Sequence, residues 1–115
     1  MLQAEAIREI VAKVVQRFEP KRVILFGSYA YGTPHEGSDL DLLVVLDKVP
    51  PQEERIKAVL ELSASSPVSL QIVFMQTDAF EETKDVVGGL AYPAHHQGRV
   101  LYEADSRTGR VGIYS

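Results

Sequence analysis

The chain contains no cysteine among its 115 residues. Disulfide frameworks and metal sites built from thiolates are therefore excluded. It also lacks any run approaching the about 20 consecutive apolar residues that a membrane-spanning helix needs. Residues 1–5 do not combine a basic region with a following apolar stretch, as a secretory signal does. The lack of a membrane span and of a signal sequence, and not the lack of cysteine, leads us to expect a cytoplasmic protein that does not bind a membrane.

An excess of positive charge is missing as well. The sequence has 12 basic and 16 acidic residues, a net charge of −4 and a pI of about 5.3. Proteins that bind long nucleic acids usually present a basic face, whereas the only adjacent basic pair here is Lys21 and Arg22. Long nucleic acid is thus not the expected partner. A small nucleotide bound through a metal, or a basic protein partner, fits the charge better.

The length fits one domain, and the hydrophobic content of 45% is enough for one small core. We expect this domain at residues 1–103. The segment 104–115 is polar and contains glycine, so it is predicted as a polar C-terminal tail. Within it, residues 111–114 could add to the edge of a sheet.

Hydrophobic periodicity predicts an alternation of helices and strands. Apolar residues at helical spacing indicate an amphipathic helix at 2–18, ended by Pro20. A run that is apolar on both faces, at 22–26, indicates a central strand. The remaining predicted elements are a strand at 39–46, a helix at 52–63, a strand at 68–75, a short helix at 77–83 with Thr77 as its N-cap, a short helix ending near 97, and a strand at 99–103.

Two of the predicted helices have a definite apolar side. The residues assigned to the apolar stripe of the first helix are Ile7, Ile10, Val11, Val14, Val15 and Phe18. Those assigned to the apolar side of the helix at 52–63 are Ile56, Val59, Leu60 and Leu62. Both sets are expected to face the core.

The most informative feature is a glycine–serine pair followed by two closely spaced aspartates. The strand at 22–26 leads into Gly27 and Ser28, and the next strand begins with Asp39 and Asp41. Residues two apart on a strand point to the same side, so these carboxylates project side by side. A cation relieves their mutual repulsion, and hard oxygen ligands suit Mg²⁺ or Mn²⁺. We therefore predict that Asp39 and Asp41 are metal ligands.

Gly27 and Ser28 are the candidate nucleotide-binding pair. A glycine lets the backbone approach a ligand closely, and the amides of a following helix, which Ser28 would cap, favour anions. An anion site beside two metal-binding carboxylates describes a nucleoside-triphosphate site. The alternatives are a plain strand-to-helix turn for Gly27 and Ser28, and a solvated pair at a strand edge for the aspartates. The latter fits poorly, because the surrounding apolar residues indicate a largely buried strand.

This arrangement resembles the nucleotidyltransferase superfamily of DNA polymerase β, and the small size resembles its minimal members. The resemblance rests on Gly27 and Ser28, on the Asp-x-Asp motif at Asp39 and Asp41, and on the late segment 98–102. It implies an α/β (α+β) fold with a small mixed sheet of about four strands flanked by helices. It further implies that the aspartates hold metal ions, that the glycine–serine pair holds the β- and γ-phosphates, and that AMP is transferred from ATP to a hydroxyl group.

One position departs from the pattern of the superfamily. Active members usually carry a third carboxylate on the next strand, where it completes the metal site and can accept a proton. Here Gln71 occupies the expected position, and Ser69 is the alternative if the register shifts by two. Neither side chain can act as a base. Asp47 and Asp78 could substitute on charge alone, but neither has the right position on a strand.

The resemblance implies a partner as well. Minimal nucleotidyltransferases are frequently antitoxins paired with a small, all-helical HEPN-type protein, and some transfer AMP to a tyrosine of that partner. We therefore expect a metal-dependent nucleotidyltransferase whose acceptor is a partner protein or a small molecule. The alternative is a catalytically impaired, nucleotide-binding antitoxin that neutralises its helical partner by contact alone.

Overall fold

The computed structural model of the protein describes residues 4–27, 39–85, 98–104 and 111–113. Helices and strands alternate along these segments, as the hydrophobic periodicity predicts. The elements in chain order are α1 (Ala4–Phe18), β1 (Arg22–Phe26), β2 (Leu40–Leu46), α2 (Gln52–Ala64), β3 (Leu70–Gln76), α3 (Thr77–Thr83), β4 (Arg99–Ala104) and β5 (Val111–Ile113). The predicted helix ending near 97 lies outside the described residues.

The strands form one mixed sheet with the order β3-β2-β1-β4-β5. β2 and β3 are parallel, while β1 pairs antiparallel with both β2 and β4. The expectation of a small mixed sheet flanked by helices is confirmed, and β1 is central, as its two apolar faces predicted. β5 pairs antiparallel with β4. Residues 111–113 therefore form a strand at the sheet edge, which was the alternative considered for this part of the tail. The domain bounds, 1–103 with a tail at 104–115, stay a prediction.

The third strand begins two residues later than predicted. The sequence placed its start at Val68, whereas β3 starts at Leu70. The hydroxyl of Ser66 donates a hydrogen bond of 2.6 Å to the carbonyl oxygen of Val68, and it accepts one of 3.2 Å from the Val68 amide. These local bonds hold the chain in a turn and delay the start of the strand.

The prediction that Thr77 caps the short helix is wrong. Gln76 is the N-cap residue, with extended backbone, and Thr77 is the first residue of α3. The Thr77 hydroxyl donates a hydrogen bond of 2.8 Å to Oδ1 of Asp47. Its side chain therefore links the start of α3 to the residue that follows β2, instead of closing the helix terminus.

The larger hydrophobic core lies on the sheet face covered by α1 and α2. The predicted stripe of α1 enters it, since Ile10, Val11 and Val14 are buried and the other three residues pack against it. The ring of Phe18 meets that of Phe74 edge to face at 5.0 Å. The buried members of this cluster are Ile10, Val11, Val14, Val23, Leu25, Leu40, Leu42, Val44, Leu46, Leu62, Leu101 and Tyr102.

A smaller core lies on the opposite face of the sheet, beneath α3. Its buried members are Ile24, Leu43, Val45 and Phe80. The side chain of Arg22 contacts two residues of α3. Its guanidinium lies 5.6 Å from the centre of the Phe80 ring and 3.5 Å from the Glu81 carboxylate, and both contacts stabilise α3 over this core. β1 and β2 thus bury alternate residues in two separate cores.

The prediction for the apolar side of α2 is only partly right. Leu62 is buried, but Ile56 and Leu60 are 52% and 65% exposed. The helix rests on Ala58, which is 1% exposed, and on Leu62 one turn later. Residues two positions from Ala58 are rotated by about 200° around a helix, so Ile56 and Leu60 point away from the core. The sequence pattern missed this because alanine is the residue in closest contact.

Within the parts of the chain that the structure describes, no helix is long and apolar enough to cross a membrane. The cytoplasmic location stays a prediction.

Replacing Phe80 with alanine tests the role of the smaller core. The side chain is fully buried, so Phe80→Ala should lower the free energy of unfolding by about 3–5 kcal/mol. Chemical denaturation measures this, and Ile56→Ala on the exposed side of α2 is the control, with an expected change within about 0.5 kcal/mol. Similar decreases in the free energy of unfolding for both variants would show that the buried Phe80 contributes no more to stability than the exposed Ile56.

Candidate active site at the start of strand β2

The end of β1 and the start of β2 bring Gly27 and Asp41 together. Phe26 is the antiparallel partner of Asp41, and Gly27 follows it with a φ of 75°. A Cβ atom added at Gly27 would lie 3.0 Å from Cγ of Asp41 and would collide with Oδ2 of the same side chain. Both the positive φ and the close approach therefore require glycine here.

The two aspartates lie at the start of β2, as predicted. Asp39 is exposed and immediately precedes the strand, while Asp41 lies within it and is half-buried. The amide of Leu40, between them, donates a hydrogen bond of 2.8 Å to the carbonyl oxygen of Ser69. This bond fixes the backbone that carries both carboxylates against the segment leading into β3.

The carboxyl group of Asp41 is in an unfavourable environment for a charge. Burial, and secondly the charge of Asp39, raise the pKa of Asp41 above its ordinary value. Its Oδ1 atom is buried, and no group in the described parts of the chain donates a hydrogen bond to it. A buried carboxylate oxygen without a donor is costly, so this oxygen is available to a cation.

The donor set fits a hard divalent cation. Asp39 and Asp41 offer carboxylate oxygens, which Mg²⁺ and Mn²⁺ prefer, and the unpartnered Oδ1 of Asp41 is one of them. Among the described residues, no cluster of three or more acidic, histidine or cysteine side chains could hold a metal. In the described parts of the chain the site therefore has two carboxylates, and no third one lies with them.

Gln71 lies where the third carboxylate was expected. It is the parallel partner of Asp41 in the register of β2 and β3, and it is exposed. Ser69 precedes β3, so the two-residue shift that would put it beside Asp41 does not occur. The amide oxygen of Gln71 can coordinate a metal weakly, but the side chain cannot accept a proton.

The structure removes the two possible substitutes for the missing carboxylate. Asp47 follows the far end of β2, where it contacts Thr77 and lies 3.8 Å from the Lys21 ammonium group. Asp78 lies in the first turn of α3, beyond the end of β3. Asp47 is six positions after Asp41, which corresponds to about 20 Å along a strand. Neither side chain can reach Asp41.

Sequence reasoning did not foresee the contact between Gly27 and Asp41. It assigned Gly27 to phosphate binding or to a plain strand-to-helix turn, and the contact with Asp41 arises from the pairing of β1 with β2. The predicted role of Ser28 in binding phosphate falls outside the described residues, as does the helix that it would cap. The roles of all five candidate residues stay predictions: Gly27, Ser28, Asp39, Asp41 and Gln71.

Comparison with known families agrees with this geometry. The family model described as "Nucleotidyltransferase domain" matches residues 7–89, which is more than half of the chain. The chain belongs to the nucleotidyltransferase domain family. The resemblance inferred from the glycine–serine pair and the two aspartates is thereby confirmed.

Solved structures share the fold of this nucleotidyltransferase domain at low sequence identity. A toxin–antitoxin structure with AMP-PNP is 21% identical, with a TM-score of 0.61, over 89% of this chain and 77% of that chain. A structure of the tri-AMPylated Shewanella oneidensis HEPN toxin in complex with the MNT antitoxin is 17% identical, with a TM-score of 0.61, over 89% of this chain and 73% of that chain. Among curated proteins there is no significant match. At these identities the likeness concerns the fold alone.

Neutralising both aspartates tests whether they serve the fold or a ligand. The double variant Asp39→Asn/Asp41→Asn should keep or raise the melting temperature of this nucleotidyltransferase domain in EDTA, because a buried, unpartnered charge is removed. Added Mg²⁺ should raise the melting temperature of the unaltered chain and leave that of the variant unchanged.

Removing two exposed carboxylates elsewhere, as Glu9→Gln/Glu82→Gln, is the matched control and should preserve the response to Mg²⁺. A large drop in the melting temperature of the aspartate variant in EDTA would mean that the pair is structural.

Proposed function

We propose that this chain is a metal-dependent nucleotidyltransferase that moves AMP from ATP to a hydroxyl group of a partner protein. The observation that supports the proposal most directly is the half-buried Asp41. Its Oδ1 has no donor in the described parts of the chain, and its other oxygen abuts Gly27, the glycine that ends β1. A carboxylate that lies near the carboxylate of Asp39 and against the backbone of Gly27 suits a metal–triphosphate complex better than a role in packing.

Each candidate residue has a task in this proposal. Asp39 and Asp41 hold Mg²⁺ or Mn²⁺. Gly27 keeps the backbone free of a side chain beside Asp41, and together with Ser28 it holds the β- and γ-phosphates. When bound, the metal ions would neutralise the triphosphate and stabilise the entering hydroxyl oxygen and the oxygen of the leaving pyrophosphate in the displacement at the α-phosphorus. The remaining work of the chain is to position these groups and to compensate charge.

The acceptor in this proposal is a HEPN-type protein, with the chain as its antitoxin. Family membership supports the transfer of a nucleotide. The two similar structures are toxin–antitoxin complexes, one with AMP-PNP and the other with a tri-AMPylated HEPN toxin. These neighbours support a HEPN-type partner and an adenosine nucleotide in this proposal. A small-molecule acceptor would use the same site.

The position of Gln71 supports a second candidate function. This amide is the partner of Asp41 on the neighbouring strand, where active members usually have a carboxylate. A chain without a base there could bind nucleotide, transfer it slowly or not at all, and neutralise its helical partner by contact. Of the two functions we favour a weakened transferase, because a single missing carboxylate lowers a rate more readily than it removes a site.

Nucleotide binding should depend on the divalent metal. The segment from 27 to 38 contains no lysine or arginine, so Asp39 and Asp41 would repel a metal-free triphosphate. Isothermal titration calorimetry should give binding of ATP in Mg²⁺ that is at least about tenfold tighter than in EDTA. The Asp39→Asn/Asp41→Asn variant should lose this difference. Equal affinities of the unaltered chain under both conditions would rule out the metal site.

Restoring the third carboxylate should raise the rate of transfer. The variant Gln71→Asp places a carboxylate beside Asp41, and a positioned general base typically contributes about 10²–10⁴-fold. The measurement is the label that α-labelled ATP transfers, with Mg²⁺, to a HEPN-type protein from the same genome. The unaltered chain should be slow by comparison.

Gln76→Asp is the matched control for this experiment, because it puts the same charge at the other end of β3. It should leave the rate unchanged. Brisk transfer by the unaltered chain, with no gain in Gln71→Asp, would mean that the missing carboxylate does not limit the reaction.

A further inference from the structure

The seam between α1 and α2 contains two adjoining clefts. One has a volume of about 460 Å³ and is lined by residues that include Arg17, Lys48 and Lys57. The other has a volume of about 360 Å³ and includes Lys13, Arg17 and Glu61. Arg17 lines both clefts, so they adjoin at this side chain, and we refer to the two together as the groove.

The charge of this groove is opposite to that of the whole chain. Its cations are Lys13, Arg17, Lys48 and Lys57, whereas its carboxylates are Glu54 and Glu61. Arg17 is paired with Glu61 at 3.0 Å, but in the described parts of the chain Lys48 and Lys57 form no ion pair. The groove is therefore locally positive in a protein with a net charge of −4.

An apolar ridge borders the groove. Ile56 and Leu60 are one helical turn apart on α2 and are 52% and 65% exposed. On the surface of α2, Lys57 lies between the ridge and the other residues of this helix that line the groove. A helix with one apolar and one charged flank can cover a surface in which an apolar pair lies beside a charged groove. We refer to the groove and the ridge together as the seam surface.

We infer that the seam surface docks an acidic, amphipathic helix of the acceptor protein. The apolar flank of that helix covers Ile56 and Leu60, and its carboxylates face Lys48 and Lys57. The assignment of this helix to the acceptor rests on the function proposed above. The net charge of the chain alone favours a basic partner, but the local sign of the seam surface selects an acidic one.

The position of the seam surface leaves the nucleotide site open. Leu40 and Leu42 point into the core beneath α1 and α2, so Asp41, which alternates with them, lies on the other face of the sheet. α2 runs back from the end of β2 toward the start of β3, the sheet-edge strand that carries Gln71. The seam surface thus lies on the sheet face opposite to Asp41, and an acceptor bound there would approach the site around this edge.

Binding of model peptides to the full chain tests this inference. The probe is a fluorescent helical peptide of about 20 residues, with leucine at every third or fourth position and glutamate beside it. A peptide with lysine in place of glutamate and a scrambled acidic peptide are the comparisons. Fluorescence anisotropy should show binding of the acidic helix that is at least about tenfold tighter than that of the other two. Saturating ATP with Mg²⁺ should not displace it.

Variants of exposed side chains locate the binding surface. Lys48→Glu/Lys57→Glu and Ile56→Gln/Leu60→Gln should each weaken binding of the acidic peptide by at least about tenfold. The control for charge is Arg8→Glu, an exposed cation on α1, and the control for exposed apolar area is Val100→Thr on β4. Both controls should bind the peptide as the unaltered chain does. Circular dichroism should show the same helix content in all variants.

Several outcomes would overturn the inference. These are equal binding of the scrambled peptide, insensitivity to the seam variants, or a dimer in light scattering that Ile56→Gln/Leu60→Gln dissociates. Binding of a single-stranded RNA oligonucleotide in place of the acidic peptide, lost in Lys48→Glu/Lys57→Glu, would also overturn it. Calorimetry with ATP and Mg²⁺ on the same variants separates the two proposals. Retained nucleotide binding without peptide binding rejects the docking surface alone, and the reverse rejects the nucleotide site alone.

Discussion

The antiparallel pairing of β1 with β2 is the constraint on which the candidate site depends. It places Phe26 opposite Asp41 and lets Gly27, at a φ of 75°, pass against the Asp41 carboxylate. A side chain at position 27 would displace that carboxylate. The parallel pairing of β2 with β3 is a second constraint, and it places Gln71 beside Asp41. Together the two ladders of backbone hydrogen bonds determine which residues of the described strands flank the candidate metal ligand.

Each face of the sheet contains a core, and the candidate metal ligand lies on the face with the smaller one. The face beneath α1 and α2 contains the larger core, while the opposite face contains the smaller core around Phe80 and, at one end, Asp41. Neighbouring residues of β2 point to opposite faces of the sheet, so Leu40 and Leu42 enter the larger core while Asp41 lies on the other face. Burial of Leu40 and Leu42 against the helices holds the backbone that positions Asp39 and Asp41.

The strength of each sequence signal decided how well it predicted the structure. The bounds of β1 and the stripe of α1 were right, because continuous or periodic burial is a strong signal. The apolar side of α2 was misassigned, since Ala58 makes the contact that larger residues were expected to make. Thr77 was misassigned because its hydroxyl bonds Asp47, which is distant in sequence. The resemblance to the superfamily, aligned by spacing along the third strand, predicted the position of Gln71 that the register confirms. The contact of Gly27 with Asp41 depends on strand pairing, which no single segment reveals.

The exposure of Gln71 on an edge strand has a consequence for how such a chain can evolve. β3 has a neighbour on only one side in the described sheet, and the side chain of Gln71 is outside both cores. Substitution there changes no packed volume, so many residues are compatible with the same stability. Position 41 has less freedom, because the Asp41 carboxylate lies against Gly27. Single substitutions at position 71 can therefore arise without loss of the fold, so the charge beside Asp41 is open to change.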